Sequence, residues 1–164
     1  MESLIIVGNG PSALNKSIDQ YDIIVRIGCY VLCKEVGENT DIVLRRSWQP
    51  TRAVSQIWMP EPVLSKDQII PDAERLGPEK YQCLIEKLNL PSNVHPSAGM
   101  IAIEMALYLY NNTHRINICG FDQFKDGWYW DPDHSHITPD ILHSPVHEHL
   151  LINKYTITNR IHQL

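Results

Sequence analysis

Three short aliphatic runs, Leu4–Val7, Asp22–Ile27 and Asp41–Arg45, crowd into the first 46 residues, and their closeness limits the fold more than any other feature. Each is rich in Ile and Val and borders a turn, the pattern of a buried strand. The stretches between them are too short for long helices, so these strands must follow one another through tight connections. The first connection opens with Gly8-Asn9-Gly10-Pro11-Ser12, where Gly and Pro supply backbone angles that end a strand abruptly.

The later part of the chain alternates differently. Gln56–Met59 is a candidate fourth strand, after which Pro60, Pro62, Pro71 and Pro78 mark an irregular connection. Glu79–Leu88 has helical spacing, with Tyr81, Leu84, Ile85 and Leu88 on one stripe. Ser97 reads as the N-cap of a second helix, Ala98–Tyr110, which is apolar nearly all round and therefore buried against a sheet. Arg115–Gly120 is a further buried strand, and residues 121–142 form an aromatic, His-rich loop. Ser144-Pro145 opens a last helix, with Glu148 in its first turn favourable to that helix's dipole, and Ile161–Leu164 closes the sheet. The expected architecture over residues 1–164 is a single-domain α/β, Rossmann-like three-layer sandwich with a mostly parallel sheet.

Composition narrows the function. A chain of 164 residues, 43% hydrophobic and 20% charged, is expected to build one packed core. Fourteen Lys and Arg against 19 Asp and Glu leave a net charge of −5, so no broad positive field exists for a nucleic acid. A small anion remains a candidate ligand, because a few backbone N–H groups hold one phosphate without net charge. The most apolar stretch, Met100–Tyr110, contains Glu104 and falls short of the roughly 20 residues that span a bilayer. Leu4–Val7 is too short for a signal-peptide core, so a cytoplasmic location is expected. Cys29, Cys33, Cys83 and Cys119 lack metal-site spacing and are expected to be buried small hydrophobes.

Gly8-Asn9-Gly10-Pro11-Ser12-Ala13 fits the dinucleotide fingerprint G-x-G-x-x-A, but poorly. No crossover helix fits between Ala13 and Asp22, and the second strand ends near Arg26 instead of the acidic residue that would hold a ribose. What survives is a loop of exposed backbone N–H groups with an Asn side chain at a strand end; a turn without a ligand explains it equally well. Pro96-Ser97-Ala98-Gly99 at a helix start and Gly120-Phe121-Asp122 at a strand end are two more such turns. Three of them would cluster at one edge of a parallel sheet, which favours a nucleotide pocket. Histidine is concentrated late in the chain, including His114, His134, His136, His143, His147 and His149. Pro145 between His143 and His147 argues against a shared helical zinc-binding face, so no metal site is expected and most of these histidines are read as loop-surface groups, with one or two catalytic.

These residues together resemble the sialyltransferases of glycosyltransferase family 29, with a fainter similarity to the bacterial sialyltransferases of family 42. Val7-Gly8-Asn9-Gly10, the stretch Ile18–Arg26 and Val36-Gly37-Glu38-Asn39-Thr40-Asp41 are similar to the family's long sialylmotif. Pro96-Ser97-Ala98-Gly99-Met100 through Ile118-Cys119-Gly120-Phe121 resembles its short sialylmotif, and His143-x4-Glu148 matches the signature H-x4-E. The resemblance implies a variant of the nucleotide-binding glycosyltransferase A fold and an inverting, metal-independent transfer from CMP-sialic acid, or a related CMP-sugar, to an acceptor glycan. Asn9 would then meet the donor phosphate, flanked by Gly8 and Gly10. Ser97, Gly99, Gly120 and Phe121 would surround the cytidine monophosphate. His143 would be the catalytic base with Glu148 beside it, and Tyr129, within Trp128-Tyr129-Trp130, would contact the phosphate. No cofactor is implied beyond the donor itself.

The chain also departs from that pattern. Gly28 stands where the family has a donor-binding Asn, and Leu4 and Tyr110 stand where it has disulfide cysteines. Two other readings therefore accompany the first: a transferase for another CMP-activated keto sugar such as Kdo, favoured by Gly28, and a non-catalytic nucleotide-binding remnant, favoured by the short acceptor region. A zinc hydrolase built on the His-rich tail is a third competitor.

Overall fold

Seven strands form one all-parallel sheet among the residues that the computed structural model describes, namely 1–28, 30–44, 56–58, 73–74, 78–90, 94–123 and 143–164. They are β1 (Glu2–Val7), β2 (Ile23–Ile27), β3 (Ile42–Leu44), β4 (Gln56–Trp58), β5 (Ala73–Glu74), β6 (His114–Cys119) and β7 (His162–Gln163), in the spatial order β5-β4-β3-β2-β1-β6-β7. The chain steps outward from β1 to β5, then returns past β1 to add β6 and β7 on the other side. The reversal lies between β1 and β6, and α/β sheets open a ligand crevice at the strand ends of such a switch point. The helices are α1 (Pro78–Leu88), α2 (Ala98–Tyr110) and α3 (Pro145–Ile157).

Side chains alternate across the sheet with a period of two, and each set meets a different layer. Leu4, Ile6, Val25, Ile27, Ile116 and Ile118 pack with the helices in the main core. Ile5, Val7, Ile24 and Cys119 pack with Ala13, Ile18 and Val36, which lie in or beside the short 3-10 turns Pro11–Ala13, Ile18–Gln20 and Lys34–Val36. These turns connect β1 to β2 and β2 to β3 without α-helices, as the spacing of the first three strands requires. One layer is thus helical and the other is made of turns. The helix α2 is buried without interruption from Met100 to Leu107, which explains its all-round apolar sequence. Its one charge, Glu104, meets Lys87 of α1 at 2.9 Å and accepts the Tyr155 hydroxyl of α3, so the three helices are joined inside the layer.

Two expectations need correction. Cys83 is exposed and Cys33 half-buried, so only Cys119 behaves as a core residue; burial pushes its thiol up to about 12. Cys29 lies outside the described residues. His114 is not a surface loop group but a buried strand residue, bonded to Thr113 at 2.8 Å and to Glu2 at 3.0 Å.

Arg26 shows how the connector between β2 and β3 is shaped. Its side chain is fully buried, and Nη2 donates to the carbonyls of Val36 (2.8 Å) and Asn39 (3.0 Å) while Nε donates to Thr40 Oγ1 (2.9 Å). From the other side, the Asp19 carboxylate accepts the backbone N–H groups of Glu38 (2.9 Å) and Asn39 (3.0 Å). The buried guanidinium thus holds this half-turn of backbone from one side and Asp19 holds it from the other. Lys cannot reproduce the fork of the guanidinium. Arg26→Lys should destabilise the fold by about 2–3 kcal/mol through lost charge-assisted bonds, seen as a lower urea midpoint with an unchanged slope. An unchanged midpoint would show that the connector keeps its shape without Arg26.

Candidate functional site

At the switch point two backbones meet without side chains between them. Val7 pairs with Cys119, so Gly8 and Gly120 follow as the next pair beyond the strand ends. A Cβ on Gly8 would lie 2.3 Å from the Gly120 carbonyl oxygen, and one on Gly120 would lie 2.5 Å from the Gly8 oxygen. Gly120 also has φ of +74°, in the left-handed region that other residues seldom enter. Both glycines are required by this approach, whatever the ligand.

The approach overturns one expectation about the loop. Four of its amides are already engaged: Gly8 N–H donates to Cys119 O at 2.8 Å, Gly10 N–H to Gly120 O at 2.9 Å, Ser12 N–H to Asp122 Oδ2 at 2.8 Å and Ala13 N–H to Gly10 O at 3.1 Å. The first two continue the parallel pairing past the strand ends, the third closes onto a side chain of the facing loop and the fourth onto the loop's own turn. The side chain of Asn9 donates from Nδ2 to Ile27 O at 3.4 Å and so reaches toward the end of β2. There Gly28 follows with φ of +58°, its N–H donating to Leu44 O at 2.7 Å. Gly and Asn are the residues that tolerate such a φ, so one backbone shape accommodates both the family's Asn and this chain's Gly.

The other two segments join the same edge. Ser97 caps α2 as expected, its Oγ accepting the Met100 N–H at 3.2 Å. Gly99, in the first turn, leaves room for the Phe121 ring: a Cβ there would be 2.8 Å from Phe121 Cε1. Glu148 lies in the first turn of α3 as expected, and it also reaches across to the start of α2. Its carboxylate accepts the Ser97 N–H and the Ser97 hydroxyl, each at 2.6 Å, and it is only 6% exposed. Burial raises its pKa, and the two Ser97 bonds oppose that rise without cancelling it. The Ser97 hydroxyl proton is consequently used inside the protein, so this side chain faces a ligand as an acceptor at most.

His143 lies at the start of α3, and its Nδ1 is 3.0 Å from the carbonyl oxygen of His95. A carbonyl only accepts, so Nδ1 carries the proton and a neutral ring holds its lone pair on Nε2. His147 and His149 are engaged elsewhere, with Ser144 and Asn153. Tyr129, like His134 and His136, lies outside the described residues. Gly8, Gly10, Gly120, Phe121, Gly99, Ser97 and Glu148 are thus linked by contacts and short chain steps, Asn9 lies between two of them, and His143 joins through the carbonyl of His95, two residues before Ser97. The His95 carbonyl and the Asp122 carboxylate belong to the same edge but escaped the sequence reading. His95 acts through its backbone, which no residue type reveals, whereas Asp122 stood inside a noted turn.

No protein-family model matches the sequence, and a search of curated proteins finds no match. Solved structures do match. A mammalian sialyltransferase in complex with Gal-beta-1-3GalNAc-ortho-nitrophenol superposes with a TM-score of 0.69 at 15% identity, over 99% of this chain and 69% of that one. The sialyltransferase CstII from Campylobacter jejuni, in complex with the substrate analogue CMP-3FNeuAc, gives 0.61 at 16% identity, over 99% and 81%. An alpha-2,3-sialyltransferase from Campylobacter jejuni in apo form gives 0.58 at 16% identity, over 99% and 74%. The protein has the α/β fold of these sialyltransferases. Among the described residues no helix is long and apolar enough to cross a membrane.

Two measurements test this geometry. Because folding raises the Glu148 pKa above its ordinary value of 4.5, its contribution to stability is present below that pH and is lost as pH rises through the folded value. Glu148→Gln cannot ionise, so its stability relative to the parent should increase as pH is raised from about 4.5 toward neutrality. A difference that stays flat or moves the other way would mean that the two Ser97 bonds outweigh burial. At Gly28, Asn should be tolerated and Ala should cost about 1 kcal/mol in thermal or urea unfolding, since only Ala is strained at this φ.

Proposed function

We propose that the protein is a glycosyltransferase of the sialyltransferase kind, one domain over residues 1–164, that moves sialic acid from CMP-sialic acid to a hydroxyl of an acceptor glycan. Transfer is inverting and uses no metal. The observation that carries the reading is His143, whose Nδ1–H bonds to the His95 carbonyl, two residues before Ser97, so that the basic lone pair of the neutral ring is on Nε2. Imidazole, with an ordinary pKa near ~6.5, is suited to take a proton at neutral pH. The acceptor hydroxyl gives its proton to Nε2 as its oxygen attacks the anomeric carbon. The bond from that carbon to the phosphate oxygen breaks, and its electron pair leaves with cytidine monophosphate. Glu148 is a positioning residue here, holding the start of α2 to α3 through Ser97.

The engaged amides of the 8–13 loop support a donor with a single phosphate, met by Asn9, over one whose two phosphates need a full cradle of N–H groups. The CMP-3FNeuAc held by CstII and the saccharide held by the mammalian enzyme support the donor and acceptor classes. A cytoplasmic location fits the free thiols of Cys33, Cys83 and Cys119. Gly28 keeps a second reading alongside, a donor carrying another keto sugar such as Kdo, because the amide side chain of the resembled family is missing there.

His143→Ala should lower turnover by roughly 100-fold with nucleotide affinity nearly unchanged, while His147→Ala and His149→Ala stay mild. Turnover of CMP-sialic acid against CMP-Kdo decides between the two donors. Cytidine monophosphate at 100-fold excess over its Kd should stabilise the fold by ~2.7 kcal/mol, and uridine or adenine nucleotides by less. Equal stabilisation by all three removes the cytidine assignment, and loss of activity in EDTA removes the metal-free mechanism.

A further inference from the structure

We infer that Asp122 is a positioning residue for the donor loop, fixing Asn9 through the backbone of Gly10 and Ser12. The inference rests on the donor reading above, which assigns Gly120 and Phe121 to the site and leaves Asp122 without a task. Asp122 Oδ2 accepts the Ser12 N–H at 2.8 Å. The same oxygen would be 2.2 Å from a Cβ on Gly10, so the carboxylate fills the space that any side chain at position 10 would need. A reciprocal bond returns from the β6 loop, where the Gly120 N–H donates to Ser12 Oγ at 3.1 Å. Asp122 is held facing β1 by its own turn, which carries left-handed residues at Gly120 (φ +74°) and Gln123 (φ +57°).

The consequence falls on the residue between the two pinned glycines. Gly8 is fixed by Cys119, and Gly10 by Gly120 on one side and Asp122 on the other. The backbone on both sides of residue 9 is held, so the direction of the Asn9 side chain depends on a carboxylate in the loop after β6, more than a hundred residues away. Rigid placement of a binding group from a supporting contact lowers the ordering cost when the ligand arrives. Removing that contact therefore weakens donor binding while leaving the base, on α3, where it is.

The experiment compares Asp122→Ala, Asp122→Asn and Gly10→Ala with the parent in cytidine monophosphate titrations and in donor kinetics, with hydrogen exchange of the Ser12 amide as a ligand-free reading. Asp122→Ala should weaken nucleotide binding about tenfold, raise KM for the donor similarly, lower kcat at saturation much less, and speed Ser12 exchange. Asp122→Asn keeps an oxygen that accepts the Ser12 N–H and should stay within about twofold of the parent. Gly10→Ala drives a methyl group into the carboxylate and should reproduce the Ala phenotype even where Asp122→Ala fails to fold; adding Asp122→Ala to it should cost little more, because both act on one contact. Parent protein that binds cytidine monophosphate while Asp122→Ala binds it equally well overturns this inference alone. Equal losses in the Asn and Ala variants also overturn it. Parent protein that binds no cytidine nucleotide overturns the donor reading and the inference with it.

Discussion

The approach of Gly8 to Gly120 is the contact from which the rest of the site follows. Parallel strands that run side by side as far as Val7 and Cys119 would normally part at their loops; two residues without Cβ atoms let them stay together for one more step. That step brings residues 8–12 into bonding distance of residues 120–122. Phe121 then lies over Gly99 and locates the start of α2, Ser97 hands the position on to Glu148 in the first turn of α3, and His143 lies two residues before that helix. The proposed base and the proposed donor-binding loop, 134 residues apart in sequence, are connected by this succession of short contacts, each with its own geometric requirement.

Among the described residues three charged side chains, Arg26, Glu104 and Glu148, are buried in the apolar layers, and each is compensated differently. Arg26 is met by backbone carbonyls, Glu104 by a lysine and a tyrosine hydroxyl, and Glu148 by a backbone N–H and a serine hydroxyl. Apolar replacements of similar volume often stabilise proteins, so such groups are poor sources of stability and good sources of uniqueness. Hydrocarbon faces slide past each other at little cost, whereas a buried carboxylate has one satisfactory arrangement. In this fold the arrangement is what fixes α2 against α3.

Likeness to sialyltransferases at 15–16% identity is understandable on the same grounds. An α/β sheet needs only residue classes in the right period, and most positions exchange freely within a class. The positions least free to exchange are those where backbones touch, and here two of them are the motif residues Gly8 and Gly120. A family signature can therefore record a steric requirement of the fold as much as a contact with a ligand, and Gly8 and Gly120 answer to the fold first.

Local pattern by itself determined most of the elements. Continuous runs of Ile and Val bounded by turns placed β1, β2 and β3, the close spacing of those strands dictated turn connections, and the apolar circumference of α2 dictated its burial, because run length, spacing and polarity are all displayed by a linear sequence. The two-residue β5 was not legible, since two residues carry no period. The motifs also named the residues that gather at the site. Tertiary structure alone decided what those residues do there. Glu148 suits its own helix dipole on sequence grounds, yet it bonds to Ser97, 51 residues away. The glycine loop invites a phosphate on its amides, yet four of those amides are already engaged, and the proton on His143 is located by a carbonyl that any residue at position 95 would offer. Hydrogen bonds are saturable and directional, so which partner takes each one is settled only when the chain is folded and all the competitors are in place.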